Sequence, residues 1–156
     1  MPRAVRTIAL LLVVVWAAAA FVLPHPTNPD VDPANRIDVH TAAPETIATL
    51  LRTSCFDCHT EETRWPWYTN VFPASVLVRH DVREARAELN MSRWTEYSVF
   101  EQADFLDEMC GEVEEGHMPL PAYLWLHGEA RLSDAQVEAL CTWTTEEADE
   151  AMRSEP

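Results

Sequence analysis

Apolar positions recur at helical spacing along four stretches of this 156-residue chain. Pro44 and Glu45 open the first stretch, as expected at a helix start. Ser133 and Gln136 open the last with the pattern of a capping box. No alternating β-branched run bounded by turn residues occurs, so the predicted fold class is all-α. The apolar faces comprise Ile47, Leu50 and Leu51; Val78, Val82, Ala85 and Leu89; Phe105, Leu106, Met109, Cys110 and Val113; and Val137, Leu140, Cys141, Thr144, Ala148 and Ala151.

The N-terminal segment predicts a single hydrophobic helix with an export role. Ile8 to Leu23 is an unbroken apolar run, preceded by two arginines and no acid. At about 1.5 Å per residue the run spans about 24 Å, somewhat less than the roughly 30 Å of a bilayer core. Small residues also stand where signal peptidase would cleave before Phe21. Residues 1–23 are therefore a membrane anchor or a signal peptide, and the following chain faces the periplasm.

Three further segments follow from composition. Residues 24–43 begin with four prolines in ten positions, which is typical of an extended spacer. Residues 44–145 contain the four helical stretches and form the predicted domain. Residues 146–156 are an acidic tail.

Charge and composition exclude several classes of function. The chain has 26 acidic residues and 11 basic ones, all of them Arg, for a net charge of -15. Beyond residue 23 nine Arg face all 26 acids, so that part is near -17. Such a chain repels phosphate backbones, which argues against nucleic acid as a partner. With three glycines it also lacks the Gly-rich loops of nucleotide-binding sites.

Cys55-Phe56-Asp57-Cys58-His59 is a C-x-x-C-H sequence, which attaches haem c covalently. The two thiols can add to the two vinyl groups of one porphyrin, and the adjacent imidazole can bind the iron. A thioredoxin-like dithiol uses the same cysteine spacing, but in a βαβ context that is missing here. Zinc would need two more ligands at close spacing, whereas Cys110 and Cys141 stand alone. The motif therefore predicts one covalent haem c.

Several blocks around this motif resemble a bacterial haem-binding domain family related to cytochrome c. The resemblance extends over about residues 44–143 and implies a cytochrome c-like haem domain. Gly128 departs from it, since the family usually has Pro there. The blocks are Ser54–His59, Glu62–Tyr68, the N-x-S-x-W element Asn90–Trp94, the G-x-M-P-L-x-x-Y element Gly116–Tyr123, and the ending from His127 to Trp143.

In such a domain Met118 is the expected second iron ligand, because it precedes Pro119 on a loop before the last helix. His117 is the main alternative. Neighbouring residues on an extended loop point in opposite directions, so only one of the two can bind the iron. His80, Met91, Met109 and His127 are further candidates. The aromatic residues after the motif are expected to line the haem edge, and an arginine to pair with its propionates. These residues are Trp65, Trp67 and Tyr68, with Arg64 or Arg79 as the cation.

The expected function is one-electron transfer by a monohaem protein with His59 and Met118 on the iron, rather than conversion of a substrate. The acidic charge predicts a redox partner with a basic docking surface. The expected location is the cell membrane, single-pass, with the haem domain outside, or the periplasm after cleavage. A haem-based sensor or accessory subunit with an open iron site, and a non-haem dithiol protein, are the alternatives. Cys110 and Cys141 lie on two inward helix faces and either form a disulfide or stay as buried thiols.

Overall fold

A computed structural model describes residues 2–22 and 25–154 of the chain. Met1, Leu23, Pro24 and residues 155–156, which belong to the predicted leader, spacer and tail, lie outside the described residues. The described part is all-helical and contains no strand. The predicted all-α fold class is therefore confirmed.

In the described residues, five α-helices of ten or more residues are joined by shorter helical segments. The α-helices are α1 (Arg3–Val22), α2 (Ile37–His40), α3 (Glu45–Ser54), α4 (Phe56–His59), α5 (Ala74–Glu88), α6 (Val99–Glu114), α7 (Pro121–Leu124) and α8 (Asp134–Ser154). Short 3-10 turns cover Pro33–Asn35, Trp67–Asn70, Met91–Glu96 and Gly128–Ala130.

The helix starts follow from local chemistry. Pro44 precedes α3, as its position in the sequence predicts. Ahead of α8 the Gln136 side chain accepts the backbone N–H of Ser133 at 2.9 Å, as the capping pattern predicts. A second capping box starts α6, where Ser98 and Glu101 bond reciprocally. The sequence analysis did not single out that box.

The core forms where α3, α6 and α8 meet the turn Met91–Glu96. Leu51, Leu106 and Leu140 are fully buried there, and Trp94 is 1% exposed. Burial of this apolar surface is the main force that holds the helices together.

The later part of the segment predicted as a spacer is helical, with a 3-10 turn at Pro33–Asn35 and α2 at Ile37–His40. Ile37 in α2 is fully buried in the core. Beside it the Asp38 carboxylate is buried and paired with Arg36 and Arg52, so its charge is compensated. Proline composition predicts an extended segment, but one buried isoleucine and one paired carboxylate are sufficient to fix residues 37–40 on the domain.

A disulfide joins α6 to α8. Cys110 and Cys141 are bonded, with 4.8 Å between their Cα atoms. Of the two alternatives for these cysteines, the disulfide is the one in the structure. The predicted acidic tail is largely helical as well, because α8 continues to Ser154.

Helix α1 extends from Arg3 to Val22, and its apolar side chains from Val5 to Trp16 are exposed. The Trp16 indole N–H donates to the backbone carbonyl of Phe72 at 3.0 Å. Among the helices of the described residues, none is both long enough and apolar enough to cross a membrane.

Candidate functional site

A cleft of about 490 Å³ opens between α4, α5, α6 and the chain leading into α7. Its volume falls within the range of sites that hold organic ligands. Acidic residues of α5 and α6 also line it, among them Asp81, Glu84, Glu88, Glu108 and Glu112. Its nitrogen and sulfur donors are Cys55, Cys58, His59, His80, Met91, Met109 and Met118.

A single helical turn presents the two cysteines and the histidine to this cleft. Cys55 interrupts the helical backbone between α3 and α4. Its carbonyl then accepts the N–H groups of Cys58 and His59 at 3.2 and 3.0 Å. Phe56 points the other way and is buried in the core. The apolar anchor on one face thus fixes which face carries the thiols and the imidazole.

Both thiols are held in their protonated form. Burial raises the pKa of Cys55 to about 12. Burial, with a smaller contribution from the charge of Asp57, raises the pKa of Cys58 to about 11. A redox-active dithiol relies on a lowered thiol pKa. The environment of these cysteines therefore argues against the dithiol alternative.

The imidazole of His59 is oriented by a backbone carbonyl. Its Nδ1 lies 3.1 Å from the carbonyl oxygen of Leu89, which can only accept, so Nδ1 carries the proton. Burial lowers the pKa of His59, which keeps the ring neutral. A neutral ring with Nδ1 as donor leaves Nε2 as the free base, the arrangement of a metal-binding histidine.

The chain after His59 is bonded to the segment that supplies the Leu89 carbonyl. The N–H of Glu61 donates to the Ser92 hydroxyl at 2.9 Å. The Glu61 carboxylate accepts from Asn90 and Arg93 at 2.9 and 2.8 Å. Burial acts to raise the pKa of Glu61, but these hydrogen bonds outweigh burial and lower it. The N-x-S-x-W element thus supports the loop that follows His59.

On the opposite wall, the end of α6 determines which side chain faces the cleft. Gly116 has a φ of +73°, a conformation that glycine adopts without strain. The N–H groups of His117 and Met118 then both donate to the Glu112 carbonyl at 3.0 Å. Met118 lines the cleft and packs on the core. The His117 side chain is 61% exposed and lies beside Glu112 and Glu115.

The other ligand candidates are placed less favourably. His80 reaches the cleft from α5, but its side chain is 57% exposed. Met91 and Met109 line the cleft from within the core cluster. His127 lies outside the cleft lining, where its Nε2 bonds the Tyr68 hydroxyl and its ring stacks on Tyr123.

Arg64, Trp65 and Trp67, which the sequence predicts at the haem edge, are not among the residues that line the cleft. Arg64 is paired with Asp57 through Nε and Nη2, each at 3.0 Å. Trp65 donates its indole N–H to Asn28, and the Trp67 residue is 77% exposed. Their role at the haem edge therefore stays a prediction.

The donor set of the cleft fits a haem c. Two protonated thiols would attach the group covalently, and a neutral imidazole and a thioether would bind its iron. The sequence analysis missed Asp57, Leu89, Ser92 and Tyr123 as supporting residues, although each lies within or beside a block that carries the family resemblance.

Comparison with known proteins supports haem binding. The model of a family described as haem-binding domain matches residues 14–146, which is most of the chain. No curated protein and no solved structure matches the chain.

Proposed function

The chain belongs to the haem-binding domain family, and we propose that it is an exported monohaem c-type protein that carries single electrons. The observation that carries this proposal is the placement of Cys55, Cys58, His59 and Met118 around one cleft. When bound, the haem supplies an iron that alternates between two oxidation states.

The residues of the chain have separate tasks in this function. Cys55 and Cys58 would hold the group through thioether bonds, so that its occupancy does not depend on affinity. His59 is oriented by the Leu89 carbonyl to bind the iron. Met118 would supply a thioether as the second ligand, which favours a higher potential than a second histidine. If His59 and Met118 both bound the iron, no position would be left for a substrate, and electron transfer would be the remaining chemistry.

Export to the periplasmic side is part of the proposal. The disulfide between Cys110 and Cys141 supports it, because disulfides persist in oxidising compartments. The arginines before the apolar N-terminal run support the same orientation. The N-terminal segment would act as the signal for export, either removed or retained as an anchor. The redox partner would carry a basic docking surface complementary to the acidic chain.

A pyridine haemochrome assay tests covalent haem attachment. The full chain is produced in a host with cytochrome c maturation, together with a Cys55→Ala/Cys58→Ala variant. We expect haem c on the natural chain and its loss from the variant. A matched Cys110→Ala/Cys141→Ala variant removes two cysteines elsewhere and should keep its haem. A natural chain without haem c would refute the proposal.

Carbon monoxide binding tests whether Met118 closes the iron site. The natural holoprotein should give a low-spin reduced spectrum that carbon monoxide leaves unchanged. Met118→Ala should open the site and allow carbon monoxide to bind, whereas Met152→Ala in α8, where Met152 is 43% exposed, should not. If the natural protein binds carbon monoxide, the sensor or accessory alternative replaces the carrier.

A further inference from the structure

Asp57 lies between the two cysteines and links three segments of the chain. One carboxylate oxygen accepts the Arg64 backbone N–H at 3.1 Å and its Nε at 3.0 Å. The other accepts Arg64 Nη2 at 3.0 Å and the Tyr123 hydroxyl at 2.9 Å. The Asp57 side chain is 12% exposed. Four hydrogen bonds therefore converge on one nearly buried carboxylate within the attachment turn.

Tyr123 approaches Asp57 from the opposite wall of the cleft. It lies in α7, five residues after Met118, and its side chain lines the cleft. Its ring stacks on His127 with centroids 4.1 Å apart and an angle of 7° between the planes. His127 in turn bonds the Tyr68 hydroxyl. Both the ring and the hydroxyl of Tyr123 are thus fixed.

We propose that Asp57 and Tyr123 are positioning residues whose hydrogen bond holds Met118 within reach of the iron. This inference rests on the proposed His59 and Met118 ligation. Asp57, which lies between the two cysteines, thereby helps to position Met118 on the far side of the cleft.

The chain between Met118 and Tyr123 is stiff enough to transmit this restraint. Pro119 and Pro121 each fix one backbone torsion there. The Tyr123 N–H closes a turn onto the Leu120 carbonyl at 2.9 Å. At its other end the loop is bonded to Glu112 through the N–H of Met118. A segment held at both ends, with two prolines between, leaves Met118 little freedom.

The hydrogen bond itself is of a strong kind. Its acceptor is a carboxylate, and such charge-assisted bonds are stronger than neutral ones. Burial, followed by the charge of Asp57, raises the pKa of Tyr123, so the hydroxyl keeps the proton that it donates. Arg64 balances the charge of Asp57, which lets the carboxylate remain in its nearly buried position between the two cysteines.

Tyr123→Phe tests the proposal, because it removes the hydroxyl and keeps the ring stacked on His127. We expect the holoprotein variant to bind carbon monoxide in a fraction about tenfold larger or more, the ratio that a hydrogen bond to a charged group gives. Its reduction potential should fall as the thioether ligand is released more often. Asp57→Asn keeps the size of the side chain and should also increase carbon monoxide binding and lower the reduction potential. This variant provides the test if Tyr123→Phe does not fold.

Thr144→Val is the matched control, since it removes a buried hydroxyl that donates to the Cys141 carbonyl at 3.1 Å within α8, and Thr144 does not line the cleft. It should lower thermal stability without increasing carbon monoxide binding. If both Tyr123→Phe and Asp57→Asn keep the spectra and the reduction potential of the natural holoprotein, the inference is overturned. The proposed function would remain intact. If Met118→Ala also leaves the spectra unchanged, Met118 is not a ligand, and both the ligation and the inference fall.

Discussion

The imidazole of His59, the proposed iron ligand, is held by the main chain of a distant segment, and this segment is in turn held by buried polar side chains. The Leu89 carbonyl accepts from the imidazole. Three residues further on, the buried Ser92 hydroxyl accepts the Glu61 N–H at 2.9 Å. Ser92 therefore links the chain that follows His59 to the segment that supplies the Leu89 carbonyl, although Ser92 does not line the cleft.

Ser92→Ala should destabilise the protein by about 1 to 3 kcal/mol, because it leaves the Glu61 N–H buried without its partner. Thermal or denaturant unfolding of the natural chain and the variant measures this difference. Ser154→Ala is the control, since its hydroxyl is exposed at the end of α8, and it should change stability by less than about 0.5 kcal/mol. Equal stability of the Ser92 variant and the natural chain would contradict the assigned role.

At the residue level, the sequence was sufficient to predict the thiols and the imidazole of the cleft, but not the side chains that surround them. Cys55, Cys58 and His59 are adjacent in sequence, so their spacing is sufficient to place them on one turn. Trp67, predicted at the haem edge, is 77% exposed, and Arg64, predicted to pair with the propionates, is paired with Asp57. That pair joins residues seven positions apart across an irregular segment, which no periodicity specifies.

The long helices pack through the pairing of α6 with α8, and the disulfide is part of this contact. Leu106 of α6 and Leu140 of α8 are both fully buried. Cys110 and Cys141 close a loop with a sequence separation of 31 residues. Cross-linking such a loop restricts the unfolded chain, which is the main source of disulfide stabilisation in the entropic account.

Cys110→Ala/Cys141→Ala should lower the free energy of unfolding by roughly 3 to 4 kcal/mol. Denaturant unfolding of the oxidised natural chain and the variant gives this value. The absorption spectrum of the bound haem should stay unchanged, because neither cysteine lines the cleft. A changed iron spectrum would show instead that the disulfide shapes the haem site.

At the element level, helices with a continuous apolar face were predictable, and short turns were not. The faces around Leu51, Leu106 and Leu140 correspond to α3, α6 and α8. Helices α2, α4 and α7 have four residues each, too few for a periodic pattern to be recognised. Their existence depends on tertiary contacts such as the burial of Ile37 and the bond from Tyr123 to Asp57.

At the scale of the whole molecule, electrostatic charge is the dominant feature. Beyond residue 23 the chain has nine Arg against 26 acidic residues. Acidic residues of α5 and α6 also line the cleft that would hold the haem. Reactants that approach the haem edge would thus enter a negative potential, which concentrates cations and repels anions.

Small charged electron acceptors can measure this potential without knowledge of the natural partner. Reduced holoprotein is mixed with hexaammineruthenium(III), a cation, or with hexacyanoferrate(III), an anion, at several ionic strengths. We expect the rate with the cation to fall and the rate with the anion to rise as salt is added. The reason is that the Debye length shortens from about 30 Å at 0.01 M to about 10 Å at 0.1 M. Rates that do not depend on salt for either reagent would mean that the charge does not act at the haem edge. In that case a basic docking surface on the partner would lose its electrostatic support.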